Sequence, residues 1–187
     1  MGKYNVVGNA NGGFVGSSSF KPIAGQVLRN IYSFKLNQAK VADAANLVAG
    51  QPVKLTNANG GVAGAGLSPN VLLAENITEA TDISGFVIES PSDVVEIGGK
   101  VPKPQAGQVV SVALLGSGVE IYLPCDDSLQ NVNINSKASW DKDIGKLKKD
   151  PAGTISILGG VVDGIVYSAI DASLAETKAS KVVKVRL

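Results

Sequence analysis

The chain has 187 residues, a formal net charge of +1, 44% hydrophobic and 18% charged residues, one cysteine and no histidine. The near-zero charge excludes a global pull toward nucleic acid or an anionic membrane, and a single cysteine excludes an intrachain disulfide framework. Without histidine the commonest general base and the commonest zinc ligand are both missing, and serine–histidine and cysteine–histidine catalysis go with them.

A chain of this length hides roughly 70% of its unfolded surface on folding, enough for a sizeable core. Its 22 glycines set against 5% aromatics point to many tight turns between short strands. The first residues, MGKYNVVGNANGGF, lack the charged start, apolar run and cleavage site of a signal peptide. No apolar run approaches the ~20 residues of a membrane helix. Synthesis in a reducing cytoplasm is expected.

Residues 1–25 are rich in Gly, Asn and Ser, with Tyr4, Phe14 and Phe20 spaced among them. Such a stretch buries too little apolar surface to fold alone. It reads either as an extended arm whose aromatics dock on a partner or a neighbouring subunit, or as a frayed end or edge hairpin turning at Asn11-Gly12. Residues 26–187 read as a β-domain. Residues 30–37 alternate as a strand; residues 39–48, with Val41, Ala44, Ala45 and Val48 at helical spacing, predict a short helix or one packed turn before Gly50.

Residues 52–56 predict a strand, and the following NANGG repeats residues 9–13 letter for letter. Residues 70–75 predict a strand; Asn76 and Glu79 then have capping-box spacing for one helical turn over 77–82. Residues 85–89 predict a buried strand, and the Pro- and Gly-rich stretch 90–105 a loop with a short strand at 94–97. Residues 107–123, GQVVSVALLGSGVEIYL, alternate on both sides of Gly116-Ser117-Gly118 and predict a central antiparallel hairpin. Strands are further expected at 138–140, 145–148, 154–158, within 159–168 and at 181–187, with a turn at 124–127 and a short helix from Asp171. A short strand, a loop, a glycine-led apolar strand and a final alternating strand recur, which suggests two pseudo-repeated β-units, 46–123 and 124–187.

No constellation in the chain carries chemistry. Asp141-Lys142-Asp143-Ile144-Gly145 opens like a calcium loop, but glycine falls at position five and Ala152 stands at twelve, so a hairpin turn is the better reading. The Gly60–Gly66 run lacks the Gly-Lys-Ser/Thr ending of a phosphate cradle. Asp126 and Asp127 are adjacent and would diverge in a strand. Cys125 sits between Pro124 and these carboxylates, which raise a thiol pKa. Trp140 and Tyr122 have the rings to stack a sugar or a base, but a lone Trp in an alternating strand more often serves a core or a subunit contact.

The stretches GQPVKLTNANG, ATDISGFVIESPSD, AGQVVSVALLGSGVEIYL, KASWDKDIGKLKK with GGVVDGIVYS, and the closing KVVKVRL resemble the capsid cement, or decoration, proteins of tailed bacteriophages over roughly residues 46–187. The resemblance implies a mainly β fold, a small antiparallel β-barrel or sandwich, to which the residues themselves add short helical turns and an extended N-terminal arm that fits the family pattern less well. It also implies a structural virion protein, with no catalytic residue, metal or cofactor. Its partners would be the major capsid protein and itself, as a homotrimer or a homodimer, on the outside of an icosahedral shell. Tyr4, Phe14, Phe20 and Trp140 are the expected interface residues. A tail-tube or head–tail connector subunit is one rival reading. A carbohydrate-binding β-module with Trp140 and Tyr122 as its platform is the other.

Overall fold

The computed structural model describes residues 22, 24–29, 36–43, 45, 47–57, 72–88, 104–149, 160–169 and 181–187. The fold is mainly β. Among the described residues the strands are β1 (Val27–Arg29), β2 (Leu36–Val41), β3 (Pro52–Asn57), β4 (Leu72–Asn76), β5 (Gly85–Val87), β6 (Val109–Leu114), β7 (Glu120–Pro124), β8 (Ala138–Asp141), β9 (Lys146–Lys149), β10 (Val161–Ser168) and β11 (Lys181–Arg186). The expected strand at 94–97, the strand at 154–158, the helix from Asp171, the Gly60–Gly66 run and the N-terminal arm lie outside the described residues.

Strands β2-β4-β3-β5-β6 close into a barrel in that order. Every neighbouring pair is antiparallel except β2–β4, which runs parallel through Lys40↔Leu73 and Val41↔Ala74. Alternation sets the faces: Ala39 and Val41 are buried, while Gln38 and Lys40, each one residue before them, are exposed. The helical spacing read over 39–48 is therefore a strand end followed by a turn, since Ala39 and Val41 obey a period of two. Gly85 begins β5 because a Cβ there would collide with the Ala113 carbonyl oxygen across the β5–β6 ladder.

The central hairpin does not form. β6 lies in the barrel between β2 and β5, whereas β7 lies in a separate sheet ordered β1-β7-β11-β10. Both edges of each arm are taken by other strands, so the turn at Gly116-Ser117-Gly118 is a corner between sheets. Gly118 seals it by donating its N–H to the Leu187 carbonyl at 2.6 Å.

The second set of strands retraces the path of the first. In each, the first strand pairs antiparallel with the last (β2–β6, β7–β11), the last with the one before it (β5–β6, β10–β11), and the two middle strands form a hairpin (β3–β4, β8–β9). The hydrogen bonds correspond in detail. Ala42 donates to Ala74 O at 3.1 Å and Asp126 to Leu147 O at 3.0 Å; Val41 donates to Gln108 O at 2.8 Å and Cys125 to Lys181 O at 3.1 Å. Gln51 donates to Val48 O at 3.1 Å and Ser136 to Asn133 O at 3.0 Å. The parallel contact of β2 with β4 is matched by a single bridge, Cys125↔Leu147. This pairing divides the chain between β6 and β7, at residues 115–119, rather than after residue 123 where the sequence reading places it.

Equivalent positions fill the two interiors. Ala39, Val53, Ala74, Val87, Val110 and Val112 pack together in the first unit. Leu123, Ala138, Leu147, Val161, Val183 and Val185 take the matching places in the second. Large replaces small at Leu123 and Leu147, and small replaces large at Ala138, which keeps a filled core with different side chains. The units are locked together where the Phe86 ring meets the Trp140 ring edge-on, centroids 5.6 Å apart.

Candidate functional site

The densest polar chemistry lies on the outer face of the β7–β11–β10 sheet. Lys184 on β11 stands opposite Tyr122 on β7. Its side chain is only 4% exposed, and its Nζ lies 3.0 Å from Asp163 Oδ2. The Tyr167 hydroxyl donates to the same oxygen at 2.7 Å, and the Tyr167 ring meets Tyr122 edge-on at 5.4 Å. Ala24, Ala169 and Val182, with Leu28 packed against them, cover this face beside Tyr122.

Burial, and then the Asp163 charge, push the Tyr122 phenol up to about 12. Burial, followed by the hydrogen bond to Asp163, raises Tyr167 as well. Both phenols therefore stay protonated at neutral pH. The arrangement supports a buried ion pair braced by a neutral hydroxyl, and it offers no activated nucleophile. The thiol of Cys125 is likewise inert: it is fully buried, and burial with the nearby Asp126 and Asp127 charges pushes it up to about 12.

Asp141, Asp126 and Asp82 fasten turns. Asp141 Oδ1 accepts from the N–H groups of Asp143 and Ile144 at 3.0 and 3.3 Å, while its Oδ2 takes Lys148 Nζ at 2.5 Å. The Lys148 hydrogen bond holds Asp141 below its ordinary range and in return raises Lys148. Gly145 closes this β8–β9 turn at φ +65°, so the calcium-like stretch is the hairpin turn its spacing suggests. Asp126 caps the 3-10 turn Asp127–Leu129 through the Ser128 N–H at 2.9 Å, and Asp127 pairs with Lys181 at 2.6 Å. Asp82 accepts from the Thr78 hydroxyl at 2.6 Å and the Glu79 N–H at 3.1 Å. These two bonds, the hydroxyl's the stronger, hold it down at about 2. The cap thus starts at Glu79, for the 3-10 turn Ala80–Asp82, and not at Asn76. Among the described residues no group of three or more His, Cys, Asp or Glu could hold a metal ion, and no helix is long and apolar enough to cross a membrane.

Of the four interface residues expected from sequence, Tyr4, Phe14 and Phe20 lie outside the described residues. Trp140 is a correction: it is 6% exposed and packed on Phe86, so its ring belongs to the seam between the units and is not presented to a sugar or a partner. Tyr122 is buried too, which removes the other half of a carbohydrate platform. Among the described residues, the large apolar side chains that do face out are Val109, Ile134, Ile144 and Ile165. Three belong to the second unit. Ile134 and Ile165 sit on adjacent segments, joined where Asn131 donates to Gly164 O at 2.8 Å. The sequence signal of Ile134 and Ile144 was faint, an isoleucine inside an otherwise polar, turn-forming run, NVNINS and DKDIGK, while Ile165 sits in the strand run GGVVDGIVYS.

No protein-family model and no curated protein matches the chain.

Proposed function

We propose that this protein is a structural virion component that binds the outside of an icosahedral phage capsid as a cement protein, clamping neighbouring major capsid subunits and stabilising the expanded shell. The observation that carries this reading is the tandem repetition of one β-unit, locked at Phe86 and Trp140. Two similar units held in a fixed relation suit a surface that itself repeats, because each can engage one of two adjacent identical subunits. The second contact is then made at high effective concentration, so neither needs to be strong alone. A protein that binds only the expanded shell stabilises that form by linkage. Trimers at the shell's symmetry points multiply the same gain. Among the described residues, the outward Val109, Ile134, Ile144 and Ile165 offer apolar contacts to a partner.

Co-sedimentation of the full chain with expanded and unexpanded shells tests the proposal. Retention by expanded shells supports it, and loss from both forms refutes it. Assembly of the purified chain into tubes or rings would favour a tail or connector subunit instead.

A further inference from the structure

Along the outer side of β10 the chain seals its own sheet edge. β10 ends the order β1-β7-β11-β10, and the segment 130–136 runs beside it. Asn131 donates to Gly164 O at 2.8 Å, Asn135 donates to Val161 O at 2.7 Å, and Val161 returns a bond to Ser136 O at 2.9 Å. The Val166 N–H is taken by the Gln130 carboxamide oxygen at 2.9 Å. The fit is close at Gly164, where a Cβ would run into the Val132 carbonyl oxygen. These bonds occupy the β10 edge against an added strand, so recognition at this place falls to side chains.

Those side chains are aliphatic or carboxamide. Ile134 and Ile165 are 67% and 45% exposed. Asn133 and Asn135 stand exposed on either side of Ile134, each with donors and an acceptor to offer. The runs 130–136 and 161–168 hold one charged residue between them, in a chain that is 18% charged. That residue, Asp163, is engaged by Lys184 at 3.0 Å and by the Tyr167 hydroxyl at 2.7 Å. Depletion of charge around exposed aliphatic groups marks the centre of an interface. A charged partner would give up hydration against such a surface and gain no counter-charge. We propose that this surface seats on an uncharged, aliphatic face of the major capsid subunit, isoleucine against apolar side chain and carboxamide against peptide group. The inference rests on the cement reading and specifies the chemistry of the face that receives the second unit.

Asn133→Asp and Asn133→Lys put a charge of either sign at an exposed position of the full chain. Each variant is co-sedimented with expanded shells beside the unaltered protein, and its melting temperature and oligomeric state are recorded. Both signs are expected to weaken retention alike, by about tenfold, because a neutral face answers neither. The melting temperature should not move. The loss should persist from about 0.1 M to about 1 M salt, since it comes from stranded hydration and not from a screened charge pair. Tighter retention with one sign means a charged partner and overturns the proposal. Retention that neither sign alters overturns it too, as does a shift in the chain's own oligomeric state with shell binding unchanged. The cement reading survives those three outcomes; shells left bare by the unaltered chain refute it and this inference together.

Discussion

Gly50 and Asn135 occupy the same place in successive units. Both adopt a left-handed backbone, at φ +80° and +64°. Gly50 donates its N–H to Val87 O at 2.8 Å and Asn135 donates to Val161 O at 2.7 Å, and each strand residue returns a bond at 2.9 Å to the next carbonyl, of Gln51 and Ser136 respectively. The two are not equally replaceable. A Cβ on Gly50 would lie 2.8 Å from the Ala24 Cβ. Gly50→Ala should therefore cost about 1–3 kcal/mol from backbone strain, with the contact adding to it. Asn135→Gly should cost a few tenths at most, because asparagine already tolerates this region. Urea denaturation of both variants checks the asymmetry.

The seam between units should behave as core. Trp140→Ala and Phe86→Ala are each expected to lower stability by about 3–5 kcal/mol. Since the rings touch edge-on, the double variant should fall short of the sum by about 0.5–1.5 kcal/mol. A Trp140→Ala protein with unchanged stability would place the ring elsewhere.

Asp163 and Lys184 should respond differently to replacement. Asp163→Ala takes a partner from a buried ammonium and is expected to cost about 3–5 kcal/mol, whereas Lys184→Met keeps the volume and removes the charge, and should cost less. Thermal denaturation at pH 7 orders the two.

How much of this was legible in the residues follows from what each signal encodes. Alternation located β3, β4, β5, β8, β9, β10 and β11 to within a residue or two, because burial of one strand face writes a period of two into the chain. It could not say which strands pair. The Val109–Leu114 and Glu120–Pro124 arms with glycines between them look the same whether they form a hairpin or part into two sheets; the answer lay in which edges β2, β5, β1 and β11 had already taken. The burial of Lys184 was hidden for a similar reason. KVVKVRL reads as a strand with a wet lysine face, and only the covering by Ala24 and Leu28 and the approach of Asp163 from β10 make that face dry. The recurrence of two units was visible as loose pattern, and its register was not.

Stability should fall at both extremes of pH. Asp82 titrates at about 2 in the folded protein against an ordinary 3.8, so the unfolded chain takes up the proton first. Its contribution is complete above the ordinary value and is lost as the pH drops toward 2; Asp141, also lowered, acts in the same direction. Asp82→Asn should flatten this acid limb. At the other end, Tyr122 is raised from 10.0 to about 12. The unfolded phenol ionises first, and stability declines as the pH rises through that window. Melting temperatures across the pH range check both limbs.

The most direct measurement is an electron cryomicroscopy map of expanded shells saturated with the full chain. Two densities per chain, one for each β-unit, seated on neighbouring capsid subunits, are the predicted result, and Ile134→Asp with Ile165→Asp should strip them from the shell while leaving the melting temperature unchanged. A chain that touches a single subunit through one unit, or shells that stay bare at saturation, would contradict the account.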